Sequence, residues 1–220
     1  MMHEPLISVV TPVYNGASFL KETVDSLLAQ NYPNLEIIMI DDESPDNSVE
    51  VLKQFGDKVR IISQKNTGHV IARNVGLKEA KGEIIAFVDQ DDIWTPGRMP
   101  LMLSYLTSGE YDFVRGKTLL FGENILEDKP IFRYPILGAC MYHRSVLEKV
   151  GLFDETLDAG EDFDWHVRVE EAGCREKRID ATTLLYRQHT TNLSHTTDFL
   201  KRGQFDTLRR KLKREKDSKL

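Results

Sequence analysis

The 220-residue sequence predicts an α/β fold, a mostly parallel sheet flanked by helices. Through the first hundred residues, short apolar runs alternate with amphipathic segments of helical length, as in repeated βαβ units. Leu35–Ile40 and Ile84–Val88 are apolar nearly throughout rather than at every second residue, which is how strands covered on both faces read. Asp41-Asp42 and Asp89-Gln90-Asp91-Asp92 follow these two runs directly, so carboxylates gather where the strands end.

The elements follow in order. Ile7–Val10 is the first strand, with Tyr14-Asn15-Gly16 as the turn after it. Leu20, Val24, Leu27 and Leu28 then recur at helical spacing, and Ser18 suits the N-cap. Leu35–Ile40 is the second strand, and Asn47-Ser48-Val49-Glu50 resembles a capping box opening a helix through Phe55. Val59–Ile62 is a third strand, Val70–Ala80 a helix closed by Gly82, and Ile84–Val88 the fourth strand. Beyond these, Met99–Leu106 reads as helix, Phe113–Leu120 as extended and 122–134 as loop. Arg144–Val150 and Glu161–Ala172 are short helices closed by glycines, and Thr183–His189 is a strand.

Composition narrows the class. With 35 acidic and 29 basic side chains the formal charge is −6, which speaks against nucleic acid as a partner. That average conceals a division: residues 198–220 carry nine Lys+Arg against four Asp+Glu, +5, leaving −11 on the body. Cys140 and Cys174 form neither a disulfide framework nor a C-x-x-C metal site and read as thiols of a reducing compartment. The opening Met1-Met2-His3-Glu4-Pro5 has no basic, apolar leader pattern, and no apolar run approaches the ~20 residues that cross a bilayer. A cytoplasmic location is therefore expected.

Open parallel sheets bind ligands beyond the carboxyl ends of their strands. Carboxylates crowded there repel one another unless a positive charge or hydrogen-bond donors neutralise them, and a hard divalent cation meets that need with oxygen ligands. Turns and helix caps also use Asp, so either cluster alone has an ordinary explanation; two together, at the ends of the second and fourth strands of one sheet, do not. Other chemistries lose their fingerprints. No G-x-G-x-x-G follows the first strand, and neither H-E-x-x-H nor G-x-S-x-G occurs. Gly116-Lys117-Thr118 mimics the end of a P-loop, but Tyr111 stands where its first glycine belongs.

Five motifs in order carry a resemblance: Ser8-Val9-Val10-Thr11-Pro12-Val13-Tyr14-Asn15, Asp41-Asp42-Glu43-Ser44, Asn66-Thr67-Gly68 with Ala72-Arg73-Asn74, Val88-Asp89-Gln90-Asp91-Asp92, and Gly160-Glu161-Asp162-Phe163-Asp164-Trp165. Over residues 7–195 the chain resembles family 2 glycosyltransferases, inverting enzymes of the GT-A fold that use nucleotide-sugar donors. The resemblance implies a donor-binding half (7–100) and an acceptor-side half (101–195) of one domain (1–195), then a basic C-terminal tail (196–220). It implies that Pro12, Tyr14 and Asp42 hold the nucleotide base, Arg73 lies near the base or phosphates, and Asp89 lies near the ribose. Asp91 would ligate a divalent cation, Mn²⁺ or Mg²⁺, with His189 completing the site, and Asp162 would be the general base. Asp162 and Asp164 lie about 200° apart on a helix, so only one can face the site. The implied reaction moves a hexosyl or N-acetylhexosaminyl group from a UDP-sugar to a glycan, lipid-linked or other hydroxyl acceptor in polysaccharide biosynthesis. Departures from the family pattern are Glu43 where Gly is common, Gln90 where a small residue is common, and His166 where an apolar residue is usual. A nucleotidyltransferase making nucleotide sugars and a phosphorelay-receiver-like module are the alternatives. The first lacks a glycine-rich loop after the first strand; the second lacks an acidic pair there.

The tail, Thr197–Leu220, reads as a helix with Phe199, Leu200, Phe205, Leu208 and Leu212 partly at helical spacing. Two readings stand: it docks on the body through those apolar residues, or its Lys/Arg face makes peripheral contact with the inner face of an anionic membrane.

Overall fold

The computed structural model describes residues 4–123, 125, 130, 136–157, 159–190, 192, 207–212, 214 and 216. Its first half follows the predicted alternation: β1 (Ile7–Val13), α1 (Ala17–Leu28), β2 (Leu35–Asp41), α2 (Ser48–Lys53), β3 (Arg60–Ser63), α3 (His69–Glu79) and β4 (Ile84–Phe87). These four strands are parallel, with β1 between β2 and β4. Both faces are buried. Val9, Val13, Ile37 and Met39 pack under α1 and α2, while Val10, Ile38 and Ile40 pack under α3. Gly76 brings α3 down onto the sheet, because a Cβ there would meet Val10 Cγ1 at 2.3 Å.

The second half adds β5 (Ile93–Trp94), α4 (Arg98–Leu106), β6 (Phe113–Gly122), β7 (Cys140–His143), α5 (Arg144–Val150), α6 (Glu161–Glu171) and β8 (Glu176–Gln188). The eight strands run in the order β3-β2-β1-β4-β7-β6-β8-β5. β7 is antiparallel to β4 and β6, β5 is antiparallel to β8, and β6 and β8 are parallel. The α/β class is as predicted, but β5 and β7 are not foreseen. Each has two to four residues, too few to establish a period. β8 begins seven residues before the predicted Thr183, its first half being largely polar and partly exposed.

Of the two capping expectations for the first half, that for α1 fails and that for α2 holds in position only, Asn47 being its N-cap residue. The α1 N-cap is Gly16, not Ser18, and Asn47 makes no side-chain cap bond at α2. Asp46 supplies what both ends need, accepting from Ala17 N at 2.9 Å and Ser48 N at 3.0 Å.

Of the apolar residues expected to dock the tail, the two that are described stand largely outward. Residues 207–212 are helical, yet Leu208 and Leu212 are about half exposed, at 51% and 50%. Arginines make the contact instead: Arg210 reaches Asp154 and Thr156, and Arg214 reaches Asp164 and Glu171. Phe199, Leu200 and Phe205 lie outside the described residues, as does most of the predicted 122–134 loop. Among the described residues no helix is long and apolar enough to cross a membrane.

Candidate active site

The carboxyl ends of β1, β2 and β4 open into a cleft of about 430 Å³, closed on its other side by the start of α6 and the end of β8. Pro12, Tyr14, Asp42, Arg73, Asp89, Asp91, Asp162 and His189 all line it. Every residue singled out by the family resemblance is thus brought to one place.

The wall on the β2 side is tied together by hydrogen bonds to one carboxylate. Asp42 accepts from Thr67 N at 2.9 Å, Gly68 N at 2.8 Å and Gln64 Nε2 at 2.8 Å, so its carboxylate fixes the loop that enters α3. Glu43, beside it, has φ of 61°, the left-handed region that favours glycine, which accounts for the residue common at this position in the family. Its carboxylate accepts from Asn66 N at 3.2 Å.

Across the floor, Arg73 is buried between two carboxylates from opposite halves of the domain. It donates to Asp89 Oδ1 at 2.7 Å and to Glu161 Oε1 at 2.5 Å. Its Nε has no partner among the described residues. The neighbouring Asn74 clasps the main chain of Phe153, donating to its carbonyl and accepting from its N–H, both at 2.9 Å. Arg73 and Asn74 together therefore tie α3 to α6 and the segment before it. His69, at the start of α3, adds a 3.0 Å contact to the same Glu161 oxygen.

This arrangement separates two adjacent carboxyls. Burial would raise Glu161, but the His69 hydrogen bond and the Arg73 charge hold it down at about 2. Asp162, with burial and the ionised Glu161 raising it, is pushed up to about 7 despite Arg73. Asp162 Oδ1 accepts from Phe163 N at 2.7 Å. Asp164 points away from the cleft, held by Arg168 at 2.9 Å and Arg214 at 3.2 Å. The helix geometry thus leaves Asp162 as the cleft-facing member of the pair. Beneath it, His166 is buried between the Asp162 carbonyl at 3.1 Å and the Tyr142 hydroxyl at 2.8 Å. Burial lowers His166 to about 4, so the family's apolar position holds a neutral imidazole.

The third wall carries Asp91 and His189. His189 Nε2 lies 2.8 Å from Asp91 Oδ2, and its ring stacks on Phe19 with centroids 4.6 Å apart. Burial and then Asp89 raise Asp91; burial, Asp91 and Asp89 raise Asp92 further. Asp92 Oδ1 accepts from Arg187 N at 2.9 Å, while Arg187 Nε donates to the Asp91 carbonyl at 2.8 Å. Asn192 donates to Asp91 Oδ2 at 3.4 Å. The acidic rim is therefore only partly neutralised from within. Among the described residues no three His, Cys, Asp or Glu side chains already converge as a complete metal cage.

Sequence reasoning missed His69, Asn192 and the bridging role of Glu161. Their partners lie 92, 101 and 88 residues away in the chain, and no local pattern announces such pairs.

The sequence profile of glycosyl transferase family 2 matches residues 8–154, and the chain belongs to that family. It is 32% identical over 183 residues to an uncharacterized glycosyltransferase of Rickettsia typhi, covering 74% of this chain and 58% of that protein. The fold is similar to that of S. aureus TarS 1-349 in complex with UDP, with a TM-score of 0.72 and 22% identity over 83% of this chain and 60% of that one. It is also similar to the mannosyltransferase PcManGT from Pyrobaculum calidifontis in complex with GDP-Man and Mn²⁺, with a TM-score of 0.69, 18% identity, and 87% and 59% covered. The architecture is accordingly that of the GT-A fold, and the chain spans somewhat over half the length of these proteins.

Removing Arg73 leaves Glu161 buried without its cation. Arg73→Ala should cost about 3–5 kcal/mol in urea unfolding at pH 7. A loss no larger than that of an exposed pair, about 1 kcal/mol or less, would show that the bridge does not hold the halves together.

Proposed function

We propose that the chain transfers a hexosyl or N-acetylhexosaminyl group from a nucleotide sugar, in the first instance a UDP-sugar, to an acceptor hydroxyl with inversion at the anomeric carbon. One observation carries the reading: a carboxylate–imidazole pair and a carboxyl poised near neutrality, from separate elements, share one cleft. The ligands seen with TarS and PcManGT, UDP-GlcNAc and GDP-Man with Mn²⁺, agree with a nucleotide-sugar substrate. Family membership sets aside the nucleotidyltransferase and receiver readings.

The donor set fits a hard divalent cation, Mn²⁺ or Mg²⁺. Asp91 and His189 supply a carboxylate and an imidazole, the rim beside them is under-neutralised, and such ions are commonly held by one or two carboxylates plus substrate phosphates. When bound, the cation offsets the negative charge that develops on the departing diphosphate. Pro12, Tyr14 and Asp42 would hold the base, with Asp89 toward the ribose and Arg73 setting the position of Asp89. On the acceptor side, Asp162 accepts the hydroxyl proton as the acceptor oxygen forms its bond to the anomeric carbon. The bond from that carbon to the diphosphate oxygen breaks, and its electron pair leaves with the nucleoside diphosphate. His166 donates from Nδ1 to the Asp162 carbonyl and so steadies the first turn that carries the base.

The tail adds a partner of a different kind. On a helix, Leu208, Arg209, Leu212 and Lys216 fall within an arc of about 100°, opposite the docked Arg210 and Arg214. All four are exposed. This outward face suits an anionic membrane surface, where a lipid-linked acceptor would lie. Co-sedimentation should rise with the anionic lipid fraction of vesicles and be lost in Leu208→Glu/Leu212→Glu; equal binding by that variant would refute the contact.

With Mn²⁺ or Mg²⁺ and a panel of nucleotide sugars, the protein should release nucleoside diphosphate, if only by slow hydrolysis. Asp91→Ala should abolish metal-dependent donor binding. Asp162→Asn should keep donor binding and lose transfer, whereas Asp164→Asn should lose stability instead. Transfer should rise with pH through about 7 as Asp162 ionises. The stability signature has the opposite sign. A carboxyl raised from 3.8 favours the fold below that pH, and its contribution is lost as pH rises through about 7. No release and no metal-dependent binding across the panel would overturn the reading.

A further inference from the structure

The turn that presents Tyr14 to the cleft is held almost entirely from outside. Its four successive backbone N–H groups each donate to a side chain brought in from elsewhere: Tyr14 N to Gln90 Oε1 at 2.8 Å, Asn15 N to Ser44 Oγ at 3.2 Å, Gly16 N to Ser48 Oγ at 2.9 Å, and Ala17 N to Asp46 Oδ2 at 2.9 Å. Three of the four acceptors come from the loop after β2 and the start of α2. The fourth comes from between the two carboxylates at the end of β4.

Gln90 does more than accept. Its Nε2 also donates to the Tyr14 carbonyl at 2.9 Å, so the side-chain amide pairs with both polar groups of one residue. The Gln90 main chain is fixed in turn, its carbonyl accepting from Thr23 Oγ1 of α1 at 2.8 Å. The amide lies so close to the turn that a Cβ on Gly16 would meet Gln90 Oε1 at 2.4 Å. The φ of Gly16 is −107°, which any residue can adopt, so it is the space Gln90 takes, and not backbone conformation, that favours glycine there. Asn15 is already in the left-handed region, with φ of 54°. A turn with that conformation and no internal partner for these N–H groups depends on its external acceptors.

We infer that Gln90 is a positioning residue for the donor: its amide clasps the Tyr14 main chain and so ties the base-holding turn to the Asp89–Asp91 segment. This rests on the proposed nucleotide-sugar reading for its functional half, while the clasp itself needs no ligand. The small residue common at this place in the family could not make the clasp. Tyr14, which is 48% exposed, is thereby fixed through its main chain rather than by burial of its ring.

Two double-mutant cycles test the proposal. The first uses thermal unfolding without ligand. Gly16→Ala should lower Tm clearly in the wild-type background and much less in Gln90→Ala, where the amide no longer occupies the space. The second titrates UDP, and separately GDP, in the presence of Mn²⁺. Loss of two neutral hydrogen bonds to the turn should weaken binding roughly tenfold in Gln90→Ala. The same substitution should change binding little once Tyr14→Ala has removed the ring that the clasp positions. Additive Tm shifts in the first cycle would overturn the clasp. An undiminished Gln90→Ala effect in the Tyr14→Ala background would show that Gln90 acts on the metal side and overturn the positioning role. A wild-type chain that binds neither diphosphate would overturn the donor reading itself, and the first cycle would still decide the clasp.

Discussion

Arg73 is the group on which the site depends. A buried guanidinium between Asp89 and Glu161 joins the end of a strand in the first half of the chain to the first residue of a helix in the second. Burying a cation is costly unless it is paired and hydrogen-bonded, and each carboxylate it meets would be costly to bury without it. The three groups therefore require one another. Asn74, one residue on, adds the amide clasp on Phe153, so consecutive residues of α3 hold both α6 and the approach to it. The same charge works through Glu161 on its neighbour. Burial, together with the charge that Glu161 keeps, raises Asp162 beside it to about 7.

The rest of the cleft is assembled by similar long-range bonds. Asp42 fixes the loop into α3 and thereby the place of Arg73. Arg187 holds both Asp92 and the Asp91 carbonyl while lying over Phe19, the ring on which His189 stacks. Gln90 secures the turn after β1. The outcome is a rim whose side chains are set by partners tens of residues away, standing on a sheet whose strands are set by burial on both faces. The tail attaches behind α6 through Arg210 and Arg214, so the basic excess of the C-terminus partly offsets the acidic excess of the body.

Much of this was legible in the sequence, and the limits are physical. Leu35–Ile40 and Ile84–Val88 declare themselves because a doubly covered strand must be apolar at successive positions. The carboxylates after them declare themselves because strand ends are where α/β sheets bind ligands. The choice between Asp162 and Asp164 needed the register of α6, which Gly160 and the Glu161 contact to Arg73 set. The two- and four-residue strands β5 and β7 offer no period to read, and the polar first half of β8 lies where burial is incomplete. Ser18 has the right chemistry for a cap but the helix begins before it, since Asp46 already satisfies the first N–H. His69, Glu161 and Asn192 act through partners that only the fold brings near. Gln90 stood out as a departure from the family pattern, but its bonds to Tyr14 could be seen only in three dimensions.

Two successive carboxyls are driven apart: His69 and Arg73 hold Glu161 at about 2, while burial and the charge on Glu161 raise Asp162 to about 7. Carboxyl-carbon NMR of the unliganded protein, with Glu161→Gln and Asp162→Asn for assignment, measures this without any substrate. The account predicts one side-chain carboxyl titrating near 7 that disappears in Asp162→Asn, and a Glu161 signal that stays ionised down to about 2. Both groups titrating together at the ordinary carboxylate value of about 4 would contradict it.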